Sequence, residues 1–97
     1  MAKDLPNHVR KHTYCYTYTL QNRSGKRYIG ITQDLRKRFK EHQKNLAGWT
    51  KGKGPFALIY YEACINIDDA KAREKYLKSG MERRYLRNRL KRFLFLT

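Results

Sequence analysis

Only eight of the 97 residues are acidic, two are cysteine and two are proline, and no apolar run approaches the roughly 20 residues that cross a bilayer. Two cysteines are too few for a disulfide framework. Cys15 and Cys64 each sit inside an apolar segment, where a reduced thiol serves as a small core residue. The stretch from Met1 to Lys11 has no apolar core of a secretory signal, so a soluble, cytoplasmic protein is expected. Two domains with separate cores are excluded at this length. With 40% hydrophobic and 13% aromatic residues, enough apolar surface is present to offset the entropy of ordering one compact fold.

What the chain has in excess is positive charge. The 23 lysines and arginines outnumber the acids to give a formal net charge of +15. Such a field implies a polyanionic partner, nucleic acid first and acidic lipid as its rival.

Residues 1–13 read as a basic flexible arm, and 14–97 as a single domain. Tyr14 to Leu20 alternates aromatic with smaller residues and reads as a strand. Turn chemistry follows at Gln21 to Gly25, and Lys26 to Ile31 resumes the strand pattern, so the two should pair as an antiparallel hairpin. A helix is expected from Thr32 or Gln33 to about Leu46. It would bury Leu35, Phe39, His42 and Leu46 and leave Arg36, Lys37, Lys40 and Lys44 in solvent. Arg38 falls on the flank of the buried stripe, one turn before His42. A glycine- and lysine-rich loop, 47–55, offers Lys53 as a phosphate contact. Phe56 to Cys64 is a near-continuous apolar run, expected as the central or third strand. Asp68 and Asp69 should cap a helix that ends at Gly80. A last helix, Glu82 to Phe95, would place Leu86, Leu90, Phe93 and Leu94 on one side, with Arg83, Arg84, Arg87 and Lys91 toward the other.

Two features point to chemistry. Ala70, Glu74, Leu77 and Met81 share one helical face, which sets the Glu74 carboxylate on the side that packs against the sheet. That placement is costly unless the charge is paired or binds a cation, so it reads either as an ion pair with an arginine or as a metal or catalytic group. The other acids fit ordinary places: Glu41 and Glu82 on exposed basic faces, Asp34 in a first helical turn. Tyrosine is over-represented at eight residues. Tyr18 and Tyr28 stand ten positions apart across the turn and are expected to face each other, through either aromatic packing or a shared function.

The pattern Y-I-G-I-T-x-D-L-x-x-R-x-x-x-H, from Tyr28 through Arg38 to His42, is followed by G-P-F-x-L-I-Y-Y and by A-x-x-R-E-x-x-L-K-S-G at Ala70 to Gly80. Together they resemble the GIY-YIG nuclease family in its single-domain bacterial form, over roughly Tyr14 to Arg89. One departure stands out: Thr17-Tyr18-Thr19 replaces the family's Gly-Ile-Tyr. Tyr16 lies on the same strand face as Tyr18 and competes for the alignment.

The resemblance implies an α+β fold, a small three-stranded antiparallel sheet flanked by helices in ββαβαα order, and a metal-dependent endonuclease acting on DNA phosphodiesters. By similarity, Glu74 is the one direct protein ligand of Mg²⁺ or Mn²⁺, an ion that commonly keeps several waters. Arg38 holds the scissile phosphate. Tyr18, Tyr28 and His42 orient or deprotonate the attacking water, with Tyr18 and His42 ranked first. Gly30 admits a close backbone approach. Thr32 and Lys53 are candidates for substrate contact, and Arg36, Lys37, Lys40, Lys44 and the cluster from Arg83 to Arg92 for salt-sensitive DNA affinity. Substrate choice is left to DNA structure, as in repair or recombination, or to a protein partner.

Three other readings compete. A non-catalytic nucleic-acid-binding module would keep the fold without the chemistry. A zinc site would draw on His8, His12, Cys15 and Cys64, although their spacing is not that of a standard finger. A peripheral membrane role would use the last helix; no stable membrane association is expected.

Overall fold

The computed structural model describes residues 14–44 and 52–96, with Phe95 and Leu96 by backbone alone. The expected basic arm at 1–13, Leu46 and the loop stretch 47–51 lie outside the described residues. Strands β1 (Cys15–Asn22) and β2 (Arg27–Thr32) form the expected antiparallel hairpin. Its turn is closed by one side chain: Asn22 Oδ1 accepts from the backbone N–H of Ser24 and Lys26 and from the Ser24 hydroxyl. Gly25 takes φ 85, a conformation other residues adopt at a cost. Because Gln21 still pairs with Arg27, β1 runs two residues beyond its expected end.

Strand β3 (Phe56–Cys64) keeps its expected bounds and pairs antiparallel with β1. The order is β2-β1-β3, so β1 is central and β3 is an edge. Edge position explains why the apolar run of β3 is not uniformly buried: Phe56 is buried, but Tyr61 is 52% exposed.

Helix α1 (Leu35–Gln43) is shorter than expected, because Asp34 stands outside it as the N-cap and accepts from the Lys37 N–H at 3.0 Å. Helix α2 (Ile67–Tyr76) is capped by Asn66, which accepts from the Asp68 N–H at 2.7 Å. Asp68 and Asp69 are therefore first-turn residues rather than caps, where their charges complement the helix dipole. The helical path continues through a wide turn, Leu77–Met81, kinked at Gly80 with φ 100. The expected last helix is two: α3 (Glu82–Arg89) and α4 (Lys91–Leu96), broken at Leu90. Leu86 is fully buried while Phe93 is 41% exposed, so the apolar side of this segment is only partly covered.

The pleat sorts side chains onto two faces. Tyr18, Leu20 and Tyr28 join Phe56 in a core covered by Leu35 and Phe39 of α1. On the opposite face Thr17 donates from Oγ1 to the carbonyl of Ala70 in α2 at 3.3 Å, and Ala70, Leu77 and Leu86 are buried. Each fully buried leucine contributes roughly 2 kcal/mol.

Candidate active site

Register decides which tyrosine enters the site. Tyr18 lies directly across from Gly30, and a Cβ on Gly30 would sit 2.6 Å from the Tyr18 hydroxyl. The ring therefore crosses β2 only because Gly30 leaves that space empty. Helix α1 brings in His42, buried, with Nε2 2.8 Å from Tyr18 Oη and the two rings edge to face. Tyr16 instead packs against Tyr61 with ring centroids 5.8 Å apart.

Burial pushes the Tyr18 phenol up to about 12; the Glu74 and Glu41 charges add to this and Arg38 opposes it. Burial also lowers His42, helped by Arg38 and opposed by Glu41. At neutral pH the phenol is protonated and the imidazole neutral. In the tautomer with its proton on Nδ1, His42 accepts the Tyr18 hydroxyl proton at Nε2.

Three charges act on the Tyr18 phenol, and two of them, Arg38 and Glu41, on His42 as well. Arg38 Nε lies 3.2 Å from Glu41 Oε1, with the two side chains 42% and 35% exposed. An ion pair so accessible contributes little stability, and the guanidinium keeps further N–H donors for a ligand. Glu41 was expected on an exposed basic face; it is half-buried and biases both Tyr18 and His42. Its spacing three residues after Arg38 was the available signal. Glu74 also departs from expectation. Its carboxylate is not buried against the sheet but 23% exposed at the rim, paired with Lys78 rather than an arginine at 3.0 Å. Ala70 and Leu77 of the same face are buried, whereas Met81 lies exposed just past the kink at Gly80.

Tyr28 does not join them as expected. It pairs with Leu20, two positions along from Gly30, so the two phenols are diagonal neighbours. Its ring packs edge-on against Phe56, with the ammonium groups of Lys26 and Lys53 each 5.8 Å from its centroid. With Lys78, Tyr28 lines a cleft of about 290 Å³ that opens beside Glu74's partner. The Thr32 hydroxyl accepts from the Asp34 N–H, and Thr32 shares a cavity of about 260 Å³ with Arg38. Arg36, Lys37, Lys40, Lys44 and Lys53 are exposed as expected.

Among the described residues, no three His, Cys, Asp or Glu side chains group to hold an ion. One rim carboxylate held by a flexible lysine fits an ion that keeps most of its waters, as Mg²⁺ does. Cys15 and Cys64 pair across β1 and β3 as free thiols; His8 and His12 of the zinc reading lie outside the described residues. Among the described residues no helix is long and apolar enough to cross a membrane.

The model of the GIY-YIG catalytic domain matches residues 14–91. The chain belongs to the GIY-YIG family. Its membership implies nuclease activity in general. The chain is 39% identical over 64 residues to a UPF0213 protein of Clostridium perfringens, covering 65% of this chain and 69% of that one. It is 32% identical over 65 residues to a UPF0213 protein of Desulfotalea psychrophila, of which the match spans 59%, against 65% of this chain. A solution NMR structure of the UPF0213 protein from Bacillus halodurans is 33% identical, with a TM-score of 0.45 over 68% of this chain and 71% of that one. The departure from Gly-Ile-Tyr has a structural reading: Thr17 and Thr19 are buried on the face away from Tyr18, and Thr17 bonds to α2 there.

Proposed function

We propose that this chain is a metal-dependent endonuclease that hydrolyses DNA phosphodiester bonds. The observation that carries the reading is the 2.8 Å contact between Tyr18 and His42, set among Arg38, Glu41 and Glu74, whose charges all act on the phenol. Arg38 exchanges Glu41 for the scissile phosphate and stabilises the charge that develops on it. Tyr18 takes a proton from the attacking water while passing its own to His42. A phenol near 12 is a poor base alone, so the neutral imidazole is the final acceptor. Attack forms a new P–O bond, one ester oxygen leaves with the electrons of the broken bond, and that oxygen gains its proton from solvent. Glu74 would hold Mg²⁺ or Mn²⁺, displacing Lys78; the ion supplies Lewis-acid polarisation of the phosphoryl group. Tyr28 positions the site through its packing on Phe56.

A charge of +15 gives affinity without sequence readout, which fits selection by DNA structure, as in repair or recombination, or by a protein partner. The test is incubation of the chain with branched, single-stranded and duplex DNA under Mg²⁺, Mn²⁺ or chelator, beside Arg38→Ala and Glu74→Ala. Metal-dependent cleavage lost in both variants supports the proposal. Cleavage that survives both, or binding without cleavage, overturns it, the latter in favour of a binding module.

A further inference from the structure

Away from Tyr18 and His42, a groove of about 610 Å³ runs between the hairpin tip and α3, lined by Gly25, Lys26, Arg27, Glu82, Arg83 and Arg87. The one carboxylate in its wall is neutralised, because Glu82 Oε1 lies 3.2 Å from Arg27 Nη1 with both side chains largely buried. Lys26, Arg83 and Arg87 are exposed, and among the described residues none of the three makes an ion pair. Arg83 and Arg87 are one turn apart on α3 and project from the same side. Lys26 lines the groove from a tip held by the Asn22 hydrogen bonds, with its ammonium resting 5.8 Å from the Tyr28 ring centroid, from where its flexible stem can turn to a phosphate. At Gly25 there is no side chain to narrow the entrance.

This groove meets the smaller cleft lined by Tyr28, Lys78 and Gly80, since Arg27 and Glu82 line both. Lys78 in turn contacts Glu74. A continuous cationic path therefore leads from the Glu74 carboxylate, past the Arg27–Glu82 bridge, to the hairpin tip.

We infer that this path along β2 and α3 is the track for the DNA backbone flanking the scissile bond, with Lys26, Arg83 and Arg87 as its phosphate contacts. The inference rests on the nuclease reading for what lies at the Glu74 end. It narrows the main backbone contact from all the exposed cations of α1 and the C-terminal helices to this one groove. A row of cations with a neutralised acid suits a repeating monoanion, because each phosphate meets one cation without opposing charge.

The test is fluorescence anisotropy of a labelled duplex of about 20 base pairs with the full chain, in chelator across a salt series. Arg83→Gln with Arg87→Gln should weaken binding about tenfold near 0.1 M salt and lower the slope of log K against log salt by about 1.8. Lys26→Gln alone should lower it by about 0.9. Arg36→Gln with Lys37→Gln on α1 is the comparison, and circular dichroism checks that each variant folds. An α1 variant that loses the slope while the groove variants keep it overturns the inference. Since no cleavage occurs in chelator, groove binding by a chain that never cuts DNA with metal would sink the nuclease reading alone. Cleavage by a chain whose groove variants bind as wild type would sink the groove alone.

Discussion

Two clusters of tyrosine, arginine and glutamate border the same sheet, and they differ in how completely their polar groups are used. Beneath β3, Arg73 Nε reaches both oxygens of Glu62, at 2.8 and 3.2 Å, and its guanidinium stacks 4.2 Å from the Tyr85 ring and 5.1 Å from Tyr76. Tyr85 is itself bound through its hydroxyl to Tyr60 at 2.9 Å. Around Tyr18, Arg38 makes one 3.2 Å contact from a side chain 42% exposed, and Glu74 is held by a lysine 49% exposed. The same residue types staple α2 and α3 to the sheet in the first cluster and stay exchangeable in the second. Saturation marks a structural cluster; singly held charge beside a buried phenol–imidazole pair marks a reactive one.

If that contrast is right, its largest consequence is for catalysis. Glu74→Gln should lower DNA cleavage by about a thousandfold and Arg38→Ala by 10² to 10³-fold, each with a melting temperature close to wild type. Arg73→Ala should do the reverse. It should destabilise by about 1–2 kcal/mol, since the pair is partly exposed and the stacking is lost with it, as thermal melting would record. A rate collapse in Arg73→Ala at unchanged stability would dissolve the distinction. Gly30→Ala should affect both readouts, because its methyl would meet the Tyr18 hydroxyl at 2.6 Å; overpacking of this kind costs about 1–3 kcal/mol.

A smaller effect concerns pH. His42 is lowered from 6.5 in the folded chain, so the unfolded chain binds its proton first as pH falls. The His42 contribution to stability is therefore fully present above about pH 6.5 and is lost as pH drops through the folded value. The cleavage rate should fall in the same acid window, with no alkaline decline from Tyr18 short of about 12. His42→Gln should flatten the acid slope of stability; a slope that persists would assign it to another group. The smallest change belongs to the saturated cluster: Tyr85→Phe removes one partly buried hydrogen bond, worth about 1 kcal/mol.

Much of this was legible in the residues, for identifiable reasons. Period-2 aromatics and the Asn-to-Gly turn specify the hairpin locally, and β3 is bounded by Pro55 and Asn66. His42 and Ala70 read correctly because both keep a helical period from neighbours that are also packed. The failures are non-local. That Tyr28 stands diagonal to Tyr18 rather than opposite it depends on strand register, and Asn22 sets that register by extending the ladder before the turn. The expected helix end at Gly80 failed because a left-handed glycine there kinks the chain and continues it into α3 instead of ending it. Asp68 and Asp69 looked like caps because acids favour first turns as well as caps; Asn66 wins by standing where the backbone is still extended. Lys78 one turn beyond Glu74 was readable from spacing alone.

The most direct test compares two glutamates of opposite assignment, Glu74→Gln and Glu62→Gln, in single-turnover cleavage of the DNA that wild type cuts fastest with Mg²⁺, beside thermal melting of each. Glu74→Gln should lose rate about a thousandfold at unchanged stability, and Glu62→Gln should lose stability with a wild-type rate. A wild-type rate in Glu74→Gln, or rate loss confined to Glu62→Gln, would contradict these assignments.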